Sequence, residues 1–124
     1  MRVPMLTFAL ILAASAAQAA GPGDYYGKWS RGNCDDEWIA FSDGKVMQFN
    51  KHFEPISRKP SESPATIAMN GASLSVEMRE KGRSPRRDVY APSDKDTLTL
   101  QETFVDGRRV PPITRDAVVY KRCK

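Results

Sequence analysis

Side chains that could catalyse a reaction near neutral pH are scarce in this chain of 124 residues. His52 is the only histidine, and it follows Lys51 in a proline-rich stretch where an exposed loop position is its expected place. No Gly-x-Ser-x-Gly motif occurs, so the sequence offers no nucleophile elbow. We therefore predict that the protein is not an enzyme and needs no cofactor.

Carboxylates cluster in residues 35–37 (Asp-Asp-Glu), and two more stand at Asp94 and Asp96. Neither group has the ligand spacing of a known calcium loop. Zinc is disfavoured because the chain has one histidine and no Cys-x-x-Cys pair. The sequence therefore predicts no metal site.

The first nineteen residues have the features of a cleaved secretory signal peptide. Arg2 gives a positive start, residues 6–14 are almost entirely apolar, and residues 17–19 (Ala-Gln-Ala) fit the small-x-small cleavage pattern. The apolar run is shorter than the roughly 18–20 residues that span a bilayer. We predict cleavage after Ala19, a single mature domain of residues 20–124, and Sec export to the bacterial periplasm or beyond.

Cys34 and Cys123 lie near the two ends of the mature chain. An even number of cysteines in an oxidising compartment favours pairing, and two thiols permit one intramolecular bridge. The chain-entropy account gives such a long loop roughly 4–5 kcal/mol of stabilisation. The alternative is a pair of free buried thiols.

Basic residues are concentrated in the segment 79–87 and in two shorter stretches, Arg58-Lys59 and Arg108-Arg109. If these loops meet at one end of the fold, they form a cationic rim that could attract lipid phosphate, anionic polysaccharide or an acidic protein face. The alternative is a set of solvated loops. The candidate rim comprises Arg79, Lys81, Arg83, Arg86, Arg87, Arg108 and Arg109.

The overall charge is mildly basic, with a formal net charge of +4 at pH 7 to which Arg2 contributes one unit. Nucleic-acid binding usually requires a more basic and more clustered surface, so we predict no nucleic-acid partner. No second long apolar run occurs, so we expect no membrane span in the mature chain, and we expect a monomer.

Tight turns and short alternating segments predict an all-β domain. Asp43-Gly44, Asn70-Gly71 and Asp106-Gly107 are turn signals, because glycine accepts the positive φ of a hairpin turn. Residues 51–64 contain three prolines and are predicted as a loop. The predicted strands are residues 27–30, 37–41, 45–49, 66–69, 72–79, 88–91, 97–104 and 117–123.

The segment 97–104 shows the alternation with one interruption. Leu98, Leu100 and Phe104 are predicted to face the core. Glu102 falls on the same face, so we expect a bulge or a strand end at that point.

Sequential hairpins of seven or eight strands favour an antiparallel meander, whose edges stay exposed unless the first and last strands pair. Cys34 follows the first strand and Cys123 ends the last, so closure would bring the two cysteines together. The predicted fold is a small up-and-down β-barrel, with a two-sheet sandwich as the alternative.

The ends of the mature chain resemble those of known small barrels. Residues 27–30 (Gly-Lys-Trp-Ser) followed by Cys34 resemble the Gly-x-Trp opening of lipocalin-like proteins. Residues 119–123 (Val-Tyr-Lys-Arg-Cys) resemble the ending of small exported proteobacterial proteins that are mostly uncharacterised. The resemblance implies that Trp29 fills one barrel end and that Cys34 pairs with Cys123.

The chain is also similar in size and Gly-x-Trp start to the periplasmic barrel inhibitors of secreted metalloproteases. That resemblance implies a free N-terminal segment that enters a protease cleft. The cysteines depart from the family, in which the bridge lies within the N-terminal half. The corresponding segment here is Gly21, Pro22, Gly23, Asp24 and Tyr25.

The leading hypothesis is a non-enzymatic, exported, lipocalin-like binding protein of the bacterial envelope with an unidentified ligand. It predicts an apolar cavity or groove, and a fully packed interior would count against a ligand carrier. The alternative is an inhibitor of a secreted or periplasmic hydrolase. A protease is the better target, because lysozymes are commonly cationic and would repel a net-positive inhibitor.

Overall fold

The computed structural model describes residues 20–52, 59–112 and 115–124. The predicted signal peptide lies outside these residues and stays a prediction. A short 3₁₀ helix, Pro22–Tyr25, precedes the strands. The strands are β1 Gly27–Ser30, β2 Glu37–Ser42, β3 Lys45–Asn50, β4 Ser61–Asn70, β5 Ser73–Met78, β6 Arg86–Asp94, β7 Thr97–Val105, β8 Arg108–Arg109 and β9 Val118–Arg122.

Eight of these strands close into an antiparallel barrel. Strands β1 to β7 each pair with the next, β7 also pairs with β9, and β9 pairs with β1. Strand β8 is a two-residue extension that pairs only with the end of β7. The β9–β1 pairing leaves no open sheet edge in the ring, so the predicted barrel is confirmed and the sandwich alternative is excluded.

The predicted glycine turns are formed. Gly44, Gly71 and Gly107 have φ values of 81°, 64° and 77°, in the left-handed region that glycine adopts without steric cost. They join β2 to β3, β4 to β5 and β7 to β8. These turns fix the hairpin registers, which in turn decide the side chains that face the barrel interior.

Apolar side chains fill the end of the barrel that contains the turns at Gly44 and Gly71 and the chain termini, which we call the closed end. Trp29 is fully buried, and its indole N–H donates to the carbonyl of Tyr25 at 3.0 Å. Trp29 therefore fills the closed end, in keeping with the Gly-x-Trp resemblance. The other fully buried large side chains are Phe41, Leu74, Leu98, Val46 and Val76.

Strand β4 begins earlier than predicted. The sequence places Pro64 in a loop, but the strand starts at Ser61, which pairs with Gln48 of β3. Pro64 is tolerated because the ladder uses only its carbonyl at this position. The carbonyl accepts a hydrogen bond from the backbone N–H of Arg79, just beyond β5, at 3.1 Å.

A bulge at Gln101 changes the inward face of β7. Leu100 pairs with Tyr90 of β6, whereas Glu102 pairs with Val89, so Gln101 has no opposite residue. The expected irregularity near Glu102 is therefore confirmed. An extra residue on one strand exchanges the faces of every residue that follows it.

Phe104 faces outward as a result. It pairs with Arg87, whose guanidinium lies 4.4 Å from the ring centroid, while the preceding Thr103 pairs with the buried Asp88. The prediction that Phe104 faces the core was wrong, because the bulge gives its inward position to Thr103. The prediction for Leu98 was right, since that side chain is fully buried.

Candidate functional site

The two ends of the barrel differ in their connections. Because neighbouring strands are antiparallel, strands β1, β3 and β5 end at one end of the barrel, where β2, β4 and β6 begin. Strand β7 ends and strand β9 begins at the same end of the barrel. The longer connections all begin and end there: 31–36, 51–60, 79–85 and 106–117. We call this end of the barrel the mouth.

Side chains that face inward become polar toward the mouth. Gln48 and Ser61 lie opposite each other on β3 and β4, whereas Ile39, the partner of Gln48 on β2, also pairs with the buried Trp29 of β1. One row closer to the closed end, Phe41 and Val46 are buried. The barrel therefore has an apolar closed half and a polar half at the mouth.

A cavity of about 290 Å³ opens at the mouth. Its volume is at the lower limit for small-molecule sites, which span roughly 300–1,000 Å³. It is bounded by strands β1 to β4, by β9 and by the β1–β2 loop. The lining residues are Ser30, Arg31, Glu37, Trp38, Ile39, Gln48, Phe49, Asn50, Ser61 and Tyr120.

Tyr120 joins the cavity to the buried core. Burial raises the pKa of its hydroxyl, and the charges of Asp88 and Glu37 add to the rise, whereas Arg31 opposes it through its charge and a hydrogen bond. The Tyr120 ring meets Tyr90 edge-on, with ring centroids 5.8 Å apart. The cavity wall therefore rests on packed aromatic side chains.

A buried carboxylate lies on the side of the mouth formed by β6 and β7. Asp88 is 4 % exposed, accepts a hydrogen bond from Thr103 Oγ1 at 2.7 Å, and pairs with Arg86 Nε at 3.3 Å. Burial and the Asp88 charge raise the pKa of Tyr90 well above its ordinary value. The hydroxyl of Tyr90 has no hydrogen-bond partner among residues 20–52, 59–112 and 115–124.

The residues of the candidate rim are placed at the mouth. They occupy the β5–β6 connection, the start of β6 and strand β8, whereas Arg58 lies outside the described residues. Four of them face a carboxylate within 4 Å, so the local positive charge is smaller than the sequence alone suggests. The pairs are Arg79–Glu77 (2.8 Å), Arg83–Glu80 (3.4 Å), Arg86–Asp88 (3.3 Å) and Arg109–Glu102 (3.5 Å).

Three rim residues have no carboxylate partner within the described part of the chain. Arg87 covers the ring of Phe104, and Lys81 and Arg108 are exposed. The rim is thus a mixed surface with local ion pairs. Its role in binding anions stays a prediction.

The candidate inhibitory segment is packed against the closed end rather than free. Pro22–Tyr25 forms the 3₁₀ helix, and Tyr25 is 6 % exposed. The carbonyls of Asp24 and Tyr26 accept hydrogen bonds from Arg122 at 2.8 and 2.9 Å. Insertion into a protease cleft, which stays a prediction, would require this segment to leave the barrel.

The predicted disulfide is confirmed. Cys34 and Cys123 are bonded, with Cα atoms 6.0 Å apart and a sequence separation of 89. The Cys123 N–H also donates to the carbonyl of Lys28 at 2.8 Å. The bridge fastens the β1–β2 loop, which carries the cavity residue Arg31, to the C-terminal end of β9.

The residues considered for catalysis or metal binding have ordinary surface roles. His52 is exposed, and its backbone N–H donates to Asn50 Oδ1 at 3.0 Å. Asp36 pairs with Lys51 Nζ at 2.7 Å, and Asp96 pairs with Arg122 Nε at 2.9 Å. In the described ranges, no three metal-ligating side chains lie close enough to hold an ion.

The polar cavity residues were missed at the sequence level. Gln48, Asn50 and Ser61 attract no attention singly, because polar residues are common near strand ends. The available signal was periodicity: Gln48 stands two positions after Val46, on the face that the alternation assigns to the interior.

Comparisons with known proteins support the fold. No protein-family model and no curated protein matches the sequence. The crystal structure of Tp0751 (pallilysin) from Treponema pallidum is similar, with a TM-score of 0.60, 12 % identity and 98 % of each chain covered. Identity at this level shows a shared fold alone. Within the described ranges, no helix has the length and apolar character to cross a membrane.

Proposed function

We propose that the protein is a non-enzymatic, exported binding protein of the bacterial envelope that holds one small polar ligand at the mouth of its barrel. The observation that carries this proposal is the cavity of about 290 Å³, which is lined by residues of four consecutive strands, of β9 and of the β1–β2 loop. Concave sites with an apolar wall and a few convergent polar groups are typical of ligand binding.

The apolar closed half and the more polar mouth of the barrel interior limit the kind of ligand that can bind. Trp29, Phe41 and Leu98 fill the closed half, so a long apolar chain has no room to enter. The half at the mouth contains amide, carboxylate, hydroxyl and guanidinium groups. An apolar ligand would displace water from these groups without replacing the hydrogen bonds that the water makes. The apolar cavity expected from the lipocalin-like outline is therefore replaced by one with a mixed polar and apolar lining.

A non-enzymatic role fits the chemistry at the mouth. Among the described residues, the cavity is lined by no histidine or cysteine, and the two charged side chains, Arg31 and Glu37, have opposite signs. Such a set suits recognition of a ligand better than proton transfer at neutral pH. Localisation in the periplasm or outside the cell is part of the proposal, and the disulfide supports it.

The proposal is tested by blocking the cavity. The mature protein, its Ser61→Phe variant and its Thr66→Phe variant are incubated with an envelope extract, repurified and denatured, and the released small molecules are analysed by mass spectrometry. Ser61 faces the cavity, whereas Thr66 is exposed on the outer face of the same strand.

Compounds released by the wild type and by Thr66→Phe, and lost in Ser61→Phe, would support the proposal. Equal release by all three proteins would mean that binding occurs outside the cavity. No release from the wild type would count against a ligand-binding role.

Inhibition of a secreted protease is the alternative, and the packing of Pro22–Tyr25 bears on it. Asp24→Pro would disturb the 3₁₀ helix and remove the hydrogen bond that the Gly21 N–H donates to Asp24 Oδ2, 3.0 Å long. If the segment inhibits only when detached, this variant inhibits a test metalloprotease more strongly than the wild type. If neither protein inhibits, the alternative is rejected for that protease.

A further inference from the structure

We infer that the cavity at the mouth is built for a neutral sugar unit, in preference to charged or apolar ligands. This inference rests on the proposed function and makes its ligand class specific. Three properties of the mouth carry it: the presence of charges of both signs, the unused hydrogen-bonding groups and the position of one aromatic ring.

Charged side chains of both signs lie together at the mouth. Arg31 and Glu37 both line the cavity and both act on the Tyr120 hydroxyl, in opposite directions. On the other wall, Arg86 and Asp88 form an ion pair 3.3 Å long. A ligand with a net charge would be repelled by one of these side chains as well as attracted by another, so the cavity favours a neutral ligand.

The amide groups at the cavity retain free donors and acceptors. Gln48 Nε2 donates only to the sulfur of Met78, 3.8 Å away, and its Oε1 has no partner in the described ranges. Asn50 accepts from the backbone of His52 through Oδ1, and its Nδ2 group has no partner in the described part of the chain. Ser61 Oγ makes one long bond, 3.4 Å, to the backbone carbonyl of Gln48.

These groups match hydroxyls in particular. A sugar hydroxyl donates one hydrogen bond and accepts others, so one hydroxyl satisfies the donor and the acceptor of a neighbouring amide at once. Glu37 adds an acceptor on the facing strand, and Arg31 adds a planar donor. A ligand with several hydroxyls on one small ring uses this arrangement better than one with a single polar group.

An aromatic ring provides the complementary apolar surface. Tyr120 lines the cavity and is held in place by its edge-on contact with Tyr90, 5.8 Å between centroids. The C–H groups of a sugar ring carry partial positive charge and pack on the negative face of an aromatic ring. Ile39 extends this apolar wall.

The experiment is a titration of the mature, oxidised, ¹⁵N-labelled protein with N-acetylglucosamine and glucose. Inorganic phosphate, laurate and glycylglycine serve as anionic, apolar and zwitterionic probes. We expect saturable shifts of the backbone amides of residues 37–39 and 48–50 with a sugar, and weaker or no saturation with the other probes.

A matched pair of variants assigns the binding to the cavity. Gln48→Met keeps the size of the side chain and removes its amide, and should weaken sugar binding about tenfold. Thr66→Leu, on the outer face, should leave binding unchanged.

The outcomes separate the two proposals. If phosphate, laurate or glycylglycine saturates the protein in preference to the sugars, the sugar inference is overturned but the binding cavity is retained. The same holds if the extract experiment captures another class of compound. An unchanged sugar response in Gln48→Met also overturns the sugar inference. If no probe saturates and the extract yields no compound, both proposals fail together.

Discussion

The guanidinium of Arg122 lies over the ring of Trp29, with 4.4 Å between its central carbon and the ring centroid. The two residues are directly opposite in the β1–β9 pair, the pair that closes the barrel. Arg122 is also the centre of a hydrogen-bond network at the closed end. It donates to the carbonyls of Asp24 (2.8 Å), Tyr26 (2.9 Å) and Lys95 (2.7 Å) and to the carboxylate of Asp96 (2.9 Å).

Replacement of Arg122 by lysine should destabilise the barrel. One ammonium group cannot reach all the acceptors that the planar guanidinium serves, so carbonyls at the closed end lose their donors. We expect a loss of about 1–3 kcal/mol in the free energy of unfolding, measured by urea denaturation at pH 7. Arg108→Lys, an exposed rim position, should change it by less than about 0.5 kcal/mol. Equal stability of the two variants would contradict the role of Arg122.

Loss of the disulfide should weaken both the barrel and the cavity wall. The Cys34→Ser/Cys123→Ser variant should lose about 2–5 kcal/mol of stability. The amides of Asp36 and Glu37, which donate to the Asn33 carbonyl, should exchange faster with solvent. Thiol counting checks the premise, because two reactive thiols in the native protein would show that no bridge forms. Unchanged exchange at residues 36 and 37 would show that the bridge does not hold the loop.

Buried tyrosines should make stability fall at high pH. The pKa of Tyr90 is raised well above the ordinary value of about 10, and that of Tyr120 is raised too. Above pH ~10 the unfolded chain loses these protons while the folded protein keeps them, so the free energy of unfolding declines as pH rises through the folded pKa. Below pH ~10 the contribution is complete. Absorbance at 295 nm follows the ionisation of the tyrosines, and Tyr90→Phe should remove the part of the titration that occurs at the highest pH.

The same variant tests the unpartnered hydroxyl. Tyr90→Phe removes a buried polar group that has no partner in the described part of the chain. We expect the variant to be as stable as the wild type at pH 7 or more stable, by up to about 2 kcal/mol. A clear loss of stability would show that the hydroxyl is hydrogen-bonded in solution.

Export should produce a mature chain that begins at Ala20. Residues 6–14 supply the apolar segment and residues 17–19 the cleavage pattern. Expression of the full chain in a bacterium, followed by intact-mass measurement of the periplasmic fraction, checks the cut. Ala17→Lys places a large charged side chain in the cleavage pattern and should block processing. Recovery of the full-length chain from wild-type cells would contradict the prediction.

Local signals were sufficient to predict the architecture. Glycine turns at Gly44, Gly71 and Gly107 require a positive φ that few other residues adopt, so they mark hairpins without tertiary information. The cysteine positions then favoured a closed meander over an open one, since closure brings Cys34 and Cys123 together. The first inference depends only on residues that are adjacent in sequence, and the second depends on a covalent bond between two cysteines.

Properties that depend on neighbours across strands could not be predicted. The carboxylate of Glu102 on β7 partly neutralises Arg109 on β8, and this pairing could not be judged before the strand registers were known. The cavity likewise gathers residues from β1 to β4 and from β9, which no short motif brings together.

The bulge at Gln101 is the clearest case, and its deletion gives a direct test. Without this residue, the ladder would be regular, with Glu102 still opposite Val89 and Thr103 still opposite Asp88. The 2.7 Å hydrogen bond from Thr103 to Asp88 is therefore expected to survive the deletion.

Deletion of Gln101 should therefore change the free energy of unfolding by less than about 1 kcal/mol, measured by urea denaturation. Deletion of Val89 on the opposite strand is the matched control, because it would turn Asp88 outward and Arg87 inward and should cost about 2–4 kcal/mol. If the two deletions are equally severe, the register of β7 does not depend on its one extra residue in this way. Gln101→Ala, which keeps the length of the strand, separates the loss of the side chain, whose Oε1 lies 3.5 Å from Ser73 Oγ, from the loss of the bulge.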